Sequence, residues 1–487
     1  MSTARARTGA TTPVTEDVEV PTLDVAPFQE AVGEEVYSRL RGAVERAHTL
    51  LDGRAIWNVN TTARGGGVAE MLHPLLGYVR GAGFDARWVV IHGDADFFRV
   101  TKRLHHRLHG SAGDGGPLDT EARASYDRVL ALAARDLCDR IRPGDVVMLH
   151  DPQTAGLCRA IRDGGAAVIW RCHIGTDRPD DTVRDAWRFL LDDVRCAQTQ
   201  VFSRQAFVWE GLDPDRVVVV APSIDAFSPK NEELGPDAVR ALLVTAGILA
   251  GEAPAAEAAF RRSDGSEGRL DHRGVLVGDP IDPAAPLIVQ VSRWDPLKDP
   301  VGVLRGFAEH VAPAHGNAHL ALAGPDVTAV SDDPEGAQTL AAVTEAWREL
   351  PDAIRARVTL ISLPMDDSDQ NAIMVNALQR HATVVVQKSL AEGFGLTVAE
   401  AMWKGCPVVA SSVGGIQDQV VDGENGILLA DPRDLRAFGE AVSALLDDPR
   451  RARRLGNAAH DRVRQDFLGP RHLMQYVDLV AQLLDQS

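Results

Sequence analysis

Two carboxylates, Glu392 and Glu400, bracket a Gly-Phe-Gly turn in QKSLAEGFGLTVAEAMWKG, residues 387–405. Gly393 and Gly395 permit a tight turn ahead of an apolar helical run. The amides of Phe394 and Leu396 then face the loop, free to bind a hydroxyl or a phosphate. Glu392 stands at the mouth of this turn. Thr397 and Glu400 also fit the T-x-x-E capping box, an account of Glu400 that needs no ligand but explains neither Glu392 nor the glycines. Upstream, VQVSRWDPLKDP places Arg293 and Lys298 after an apolar strand, separated by an Asp-Pro turn. A guanidinium fork and a compact ammonium together suit a diphosphate whose charge grows as it departs; two solvated loop cations are the competing account.

In the first half of the chain, NVNTTARGGGVAEML sets Gly65, Gly66 and Gly67 between a strand and a helix. Bare N–H groups and the positive helix end there suit a phosphate, and a flexible loop is the alternative. The run is not G-x-G-x-x-G, so the dinucleotide fingerprint of nicotinamide enzymes is absent. Asp151 and Gln153 in LHDPQ, and Arg171 and His173 in WRCHI, also close apolar strands. Taken alone, the first string reads as a turn at Asp-Pro, and the second as a strand with a structural histidine.

These loops need sheets to hold them. AIWNVN, ARWVVIHG, DVVMLH, AAVIWRCHI, TQVFS and RVVVVAPSI alternate with helical stretches, and a second series runs through PLIVQVSRW, AHLALAGP, VTLISL, ATVVVQKS, CPVVASS and NGILLA. Both series predict α/β units with mostly parallel sheets. The expected division is a disordered tail over 1–30, a Rossmann-like domain over 31–235, an inter-domain insertion over 236–285 and a second Rossmann-like domain over 286–469. The apolar face of a helix near 470–487 is expected to cross back onto the first domain. Weak periodicity and frequent turn formers mark the insertion, which is expected to be partly mobile.

Composition narrows the partners. The chain has 487 residues, 51 Lys and Arg against 69 Asp and Glu, and a net charge of −18. That balance disfavours a nucleic acid or an anionic membrane, yet leaves room for a phosphorylated small molecule in a locally cationic site. Cys138, Cys158, Cys172, Cys196 and Cys406 are odd in number and form no C-x-x-C pair, which predicts free thiols, a reducing cytoplasmic compartment and no structural zinc. No long apolar run or targeting segment stands out.

EGFGLTVAE resembles the E-x7-E motif of retaining nucleotide-sugar glycosyltransferases of the GT-B fold, and VSRWDPLKD resembles their diphosphate-binding segment. With NVNTTARGGGVAEML, LHDPQ, WRCHI and APSIDAF, the chain from about Ile56 onward, apart from the insertion, is similar to the trehalose glycosyltransferring synthase and trehalose phosphorylase group. The resemblance implies two doubly wound domains facing across a cleft. It makes Glu392 a partner of donor-sugar hydroxyls and Glu400 a partner of the ribose. Arg293 and Lys298 would hold the diphosphate, with Gly66 and Gly67 closing over it. His173 would meet hydroxyls of the reacting sugar, and Asp151 and Gln153, with Arg171 nearby, those of an acceptor glucose.

The implied activity is retaining glucosyl transfer from a nucleoside-diphosphate glucose, such as UDP- or ADP-glucose, to glucose or a similar acceptor, giving trehalose or a related α-glucoside. It needs no metal or other cofactor. A phosphorylase acting on trehalose with phosphate is the alternative, and a non-catalytic sugar-nucleotide sensor is another. The expected partners are therefore a nucleotide sugar and a sugar acceptor, with a homodimer left open and domain closure on donor binding expected.

Overall fold

The computed structural model describes residues 14–63, 66–252, 258–327 and 334–485. The chain divides into two units, one comprising residues 1–26, 41–220 and 474–487, the other residues 27–40 and 221–473. In the first unit the strands are β1 (Thr15–Val18), β2 (Ala55–Asn60), β3 (Asp85–Ile91), β4 (Val146–His150), β5 (Ala167–Cys172), β6 (Thr199–Phe202) and β7 (Val217–Val219). They lie in the order β1-β3-β2-β4-β5-β6-β7, all parallel except β1, which pairs antiparallel with β3. Such strands are covered on both faces by helices, which is why Val146–His150 and Ala167–Cys172 are buried at every position.

The second unit contains β10 (Val275–Val277), β11 (Leu287–Val291), β12 (His319–Pro325), β13 (Val358–Leu363), β14 (Val384–Gln387), β15 (Val408–Ser411) and β16 (Ile427–Leu429), preceded by a hairpin of β8 (Ala259–Arg261) and β9 (Glu267–Arg269). Its order is β10-β13-β12-β11-β14-β15-β16, parallel apart from the edge strand β10. The order reverses at β2/β4 in the first sheet and at β11/β14 in the second. At such reversals the connecting helices leave on opposite faces, and the carboxyl ends of the strands open into a ligand-binding crevice.

Two segments differ from the sequence-based expectation. Residues 1–13 lie outside the described residues; within residues 14–30 of the predicted tail, β1 adds an edge to the first sheet, and Phe28 is buried in the second unit. The predicted insertion is not a separate inter-domain segment, since its described residues belong to the second unit. The helix Pro236–Thr245 buries Val239, Leu242 and Leu243 in the same core as Ile373 and Leu378, and β10 extends the sheet. Arg262 of the hairpin pairs with Asp367 at 2.9 Å. The strands β8, β9 and β10 are only three residues each, too short to leave a period-2 signal.

The C-terminal helix Gly469–Asp485 carries Leu479, Val480 and Leu483 into the core of the first unit, against Ala47, Met148 and Ile169. The partner expected for its apolar face is therefore found. Among the described residues no helix is long and apolar enough to cross a membrane.

Candidate active site

In the second unit the loops after β11 and β14, at the reversal point, are joined to one another. Leu390 N–H donates to the Leu297 carbonyl at 2.7 Å. Lys298 Nζ reaches both oxygens of Glu392 at 2.7 Å, and Ser389 Oγ donates to Glu392 Oε2 at 3.1 Å. The side chains of Lys298 and Glu392 are 15% and 12% exposed. The cation assigned to the diphosphate and the carboxylate assigned to the sugar are thus one ion pair, shielded enough to act strongly on a bound charge. Arg293 is different: its side chain is 62% exposed, and it pairs with Asp295 at 3.1 Å.

The helix Leu396–Trp403 begins at Gly395, whose φ of 87° is the left-handed conformation a side chain resists, and no side chain caps its first turn. The Val398 and Ala399 N–H groups donate back to the Gly395 carbonyl, which leaves the first N–H groups of the helix, at Leu396 and Thr397, to the loop. The predicted capping box does not form. Thr397 lies inside the first turn rather than at the cap, and its hydroxyl donates to Gln387 Oε1 at 3.4 Å. Glu400 is buried instead: Oε1 lies 3.5 Å from Lys230 Nζ, and Oε2 is enclosed with no hydrogen-bond partner. A buried carboxylate oxygen left without a donor is costly unless a ligand supplies one.

Two glycines that sequence reading passed over hold this loop in place. Gly415 N–H donates to the Gly393 carbonyl at 2.8 Å, and a Cβ on Gly414 would sit 1.8 Å from the Glu392 carbonyl oxygen. Gly414 also has φ of 50°. Gly414→Ala should therefore displace Glu392 from Lys298 and lower turnover more than stability, a split that kinetics and thermal unfolding on the same sample will resolve. The Gly-Gly pair after an apolar strand was the available signal.

Behind Glu400, Lys404 Nζ donates to Gln379 Oε1, Asn231 Oδ1 and the Glu400 carbonyl at 2.8, 3.0 and 3.1 Å. Burial pulls its pKa down to about 7. The unfolded lysine keeps its proton to about pH 10.4, so between these values the unfolded state binds more protons and stability rises with pH. Relative to Lys404→Met, the wild-type unfolding free energy should climb from pH 7 to 9 in denaturant titrations.

In the first unit, Asp151 and Gln153 follow β4 and His173 follows β5. Asp151 is left-handed, with φ of 64°, and its Oδ1 accepts the His173 N–H at 2.8 Å. Its carbonyl accepts from Trp170 Nε1 at 3.0 Å, and Tyr126 OH donates to the Pro152 carbonyl at 2.6 Å, so the turn is fixed on both sides. Burial pushes the Asp151 carboxyl up to about 7, against the lowering effect of the His173 N–H and the Arg171 charge. Gln153 Oε1 is enclosed without a partner, in keeping with a group awaiting a hydroxyl donor.

His173 belongs to a buried chain that the sequence did not reveal. Arg171 Nε donates to His173 Nδ1 at 3.4 Å, His173 Nε2 lies 3.0 Å from His150 Nδ1, and His150 Nε2 lies 3.0 Å from Asn58 Oδ1. Arginine only donates and an amide oxygen only accepts, so both histidines carry their proton on Nε2. Burial lowers the His150 pKa to about 3, which keeps that ring neutral. Both ring nitrogens of His173 are thus committed within the protein. Arg171 corrects the sequence reading outright: it is 0% exposed, and its remaining nitrogens bond to Tyr476 OH and, at 3.1 Å, to the Val220 carbonyl. It orients His173 and anchors the C-terminal helix, and it offers nothing to an acceptor.

Gly66, with φ of 86°, caps the helix Gly67–Gly81, and a Cβ there would meet nothing within 4 Å, so the helix start is open. Gly65 lies outside the described residues. Among the described residues no group of three or more His, Cys, Asp or Glu side chains could hold a metal, and the five cysteines are free.

Residues 58–209 match the family model for the trehalose synthase N-terminal domain, and residues 363–462 match glycosyl transferases group 1. The chain is 34% identical to a trehalose synthase of Pyrococcus horikoshii, over 94% of this chain and 95% of that protein. It is 26% identical to a trehalose phosphorylase of Pleurotus sajor-caju, over 76% of this chain and 50% of that protein. Among solved structures, an α,α-trehalose 6-phosphate synthase from Burkholderia multivorans aligns with a TM-score of 0.66 at 16% identity, covering 89% of this chain and 97% of that one. The fold is GT-B.

Proposed function

The chain belongs to the trehalose synthase family of glycosyltransferases, and from that membership we propose that it transfers glucose from a nucleoside-diphosphate glucose to free glucose, with retention, to form trehalose. The single observation that carries the choice of a nucleotide donor is the buried, partnerless Oε2 of Glu400. A ribose diol would supply the missing donor, whereas inorganic phosphate or glucose 1-phosphate would bring more negative charge to the same place. The pairing of Lys298 with Glu392 supports the adjacent diphosphate and sugar positions.

In the proposed reaction the acceptor hydroxyl approaches the face from which the phosphate departs. The sugar C1–O bond to the diphosphate breaks as the new C1–O bond forms, and the hydroxyl proton passes to the departing phosphate oxygen. Lys298, Arg293 and the open start of the helix Leu396–Trp403 stabilise the charge accumulating on the diphosphate, which supplies the electrostatic work without invoking a metal. Asp151 and Gln153 would orient the acceptor. Retention here does not rest on a pair of carboxylates of the glycosidase kind.

Incubating the protein with UDP-, ADP- or GDP-glucose and glucose should yield trehalose and the nucleoside diphosphate. If trehalose and phosphate gave glucose 1-phosphate while no nucleotide sugar was consumed, the phosphorylase reading would replace this one.

A further inference from the structure

We propose that Lys388 and Asp299 form a buried positioning clamp that sets Lys298, the cation assigned above to the departing diphosphate; the inference rests on that assignment. Lys388 directly follows β14 and Asp299 directly follows Lys298. The Lys388 side chain is 0% exposed, and its ammonium pairs with Asp299 Oδ2. The contact therefore crosses from the carboxyl end of one strand at the sheet's reversal point to the loop of its neighbour, the two loops that also carry the Lys298–Glu392 pair.

The surrounding backbone is shaped around this contact. Asp299 and Asp151 are, among the described residues, the two non-glycine residues with positive φ, and each adjoins a candidate site. At φ of 48° and ψ of 48°, Asp299 occupies a conformation that glycine would adopt with less strain, and its carboxylate is held there on both oxygens. Its Oδ1 accepts the Gly302 N–H at 3.1 Å, and a Cβ on Gly302 would lie 2.1 Å from Oδ2, so Gly302 leaves the space that the carboxylate fills. Gln290 completes the frame from β11. Its Nε2 donates to the Lys298 carbonyl at 3.0 Å, and its Oε1 accepts the Lys388 N–H at 3.4 Å. Lys298 is thus held at its own carbonyl and at the next residue's carboxylate, while its ammonium is left to Glu392.

Stability alone does not account for such a pair. A buried ion pair is commonly no more stabilising than apolar side chains of similar volume, whereas a fixed backbone at Lys298 matters directly to an ammonium that must meet charge developing on a phosphate. The clamp acts through Lys298 and touches no substrate itself.

The test is a kinetic cycle in the trehalose-forming assay. Lys388→Met/Asp299→Asn removes both charges together and so strands neither. It should lower kcat roughly 10- to 100-fold, the loss associated with a small misplacement of a catalytic group, and leave donor KM within about twofold. In a Lys298→Ala background the same double change should lower kcat no further. An equal loss in both backgrounds, or no loss in either, would overturn the clamp. Should Lys298→Ala itself turn over like wild type, the diphosphate assignment falls instead. A slow Lys298→Ala beside a normal Lys388→Met/Asp299→Asn would leave that assignment standing and remove the clamp alone.

Discussion

Lys298→Ala should fold normally and lose about a hundredfold in kcat. Its side chain is only 15% exposed and its ammonium lies 2.7 Å from a carboxylate, so solvent screens it little. Removing one such charge from the place where transition-state charge develops typically costs about 3 kcal/mol, and each 1.36 kcal/mol is tenfold in rate, at about 25 °C. A second effect should accompany the first. Without Lys298, Glu392 is left as a shielded carboxylate beside the incoming diphosphate, and donor KM should rise as well. Adding Glu392→Gln in the same protein should bring KM part of the way back without restoring kcat, which separates repulsion from lost catalysis. Arg293→Ala should act in the same direction with a smaller effect, because a side chain 62% exposed and paired with Asp295 is screened by water. Wild-type turnover in Lys298→Ala would remove the diphosphate site from this loop.

The elements that place Lys298 were legible as far as burial made them so. Strands covered on both faces read as unbroken apolar runs, and LIVQV and VVVQ are of that kind. The edge strands TEDV and VLV carry no such mark, because their pairing is fixed by the antiparallel neighbour and not by their own composition. In the sites, residues that need a special type in a loop stood out: the glycines, the loop cations, and the carboxylates that an ordinary helix start could not fully explain. The groups beneath them did not. Asn58, His150 and His173 come from strands or strand ends that meet only because the first sheet runs β2-β4-β5, and Lys388 reaches Asp299 only because β14 lies beside β11. A buried polar residue on a strand reads as an interruption of the apolar pattern until strand order gives it a partner. Arg171 shows the cost of reading it otherwise: its motif suggested a ligand contact, while the residue is fully buried and each of its three nitrogens already has a partner within the protein.

Glu400→Ala should raise donor KM about 10- to 100-fold and leave kcat nearly unchanged. Hydrogen bonds to a charged group contribute about 1.5–3 kcal/mol, and a ribose contact is the same in the ground and transition states, so its loss falls on binding alone. The structure supplies a second readout. Because Oε2 of Glu400 is buried without a donor, the ligand-free protein carries a cost that the substitution removes, and its melting temperature should not fall. Nucleoside diphosphate should stabilise the wild type by an amount set by its concentration relative to Kd, and this shift should largely vanish in Glu400→Ala. A carboxylate present only to support its helix would behave in the opposite way, lowering the melting temperature and sparing the nucleotide shift. If phosphate and trehalose were the true substrates, Glu400→Ala would leave phosphorolysis intact, since that reaction has no ribose to hold. The two kinetic constants and the two melting temperatures therefore decide together whether the second glutamate of the motif binds a nucleotide.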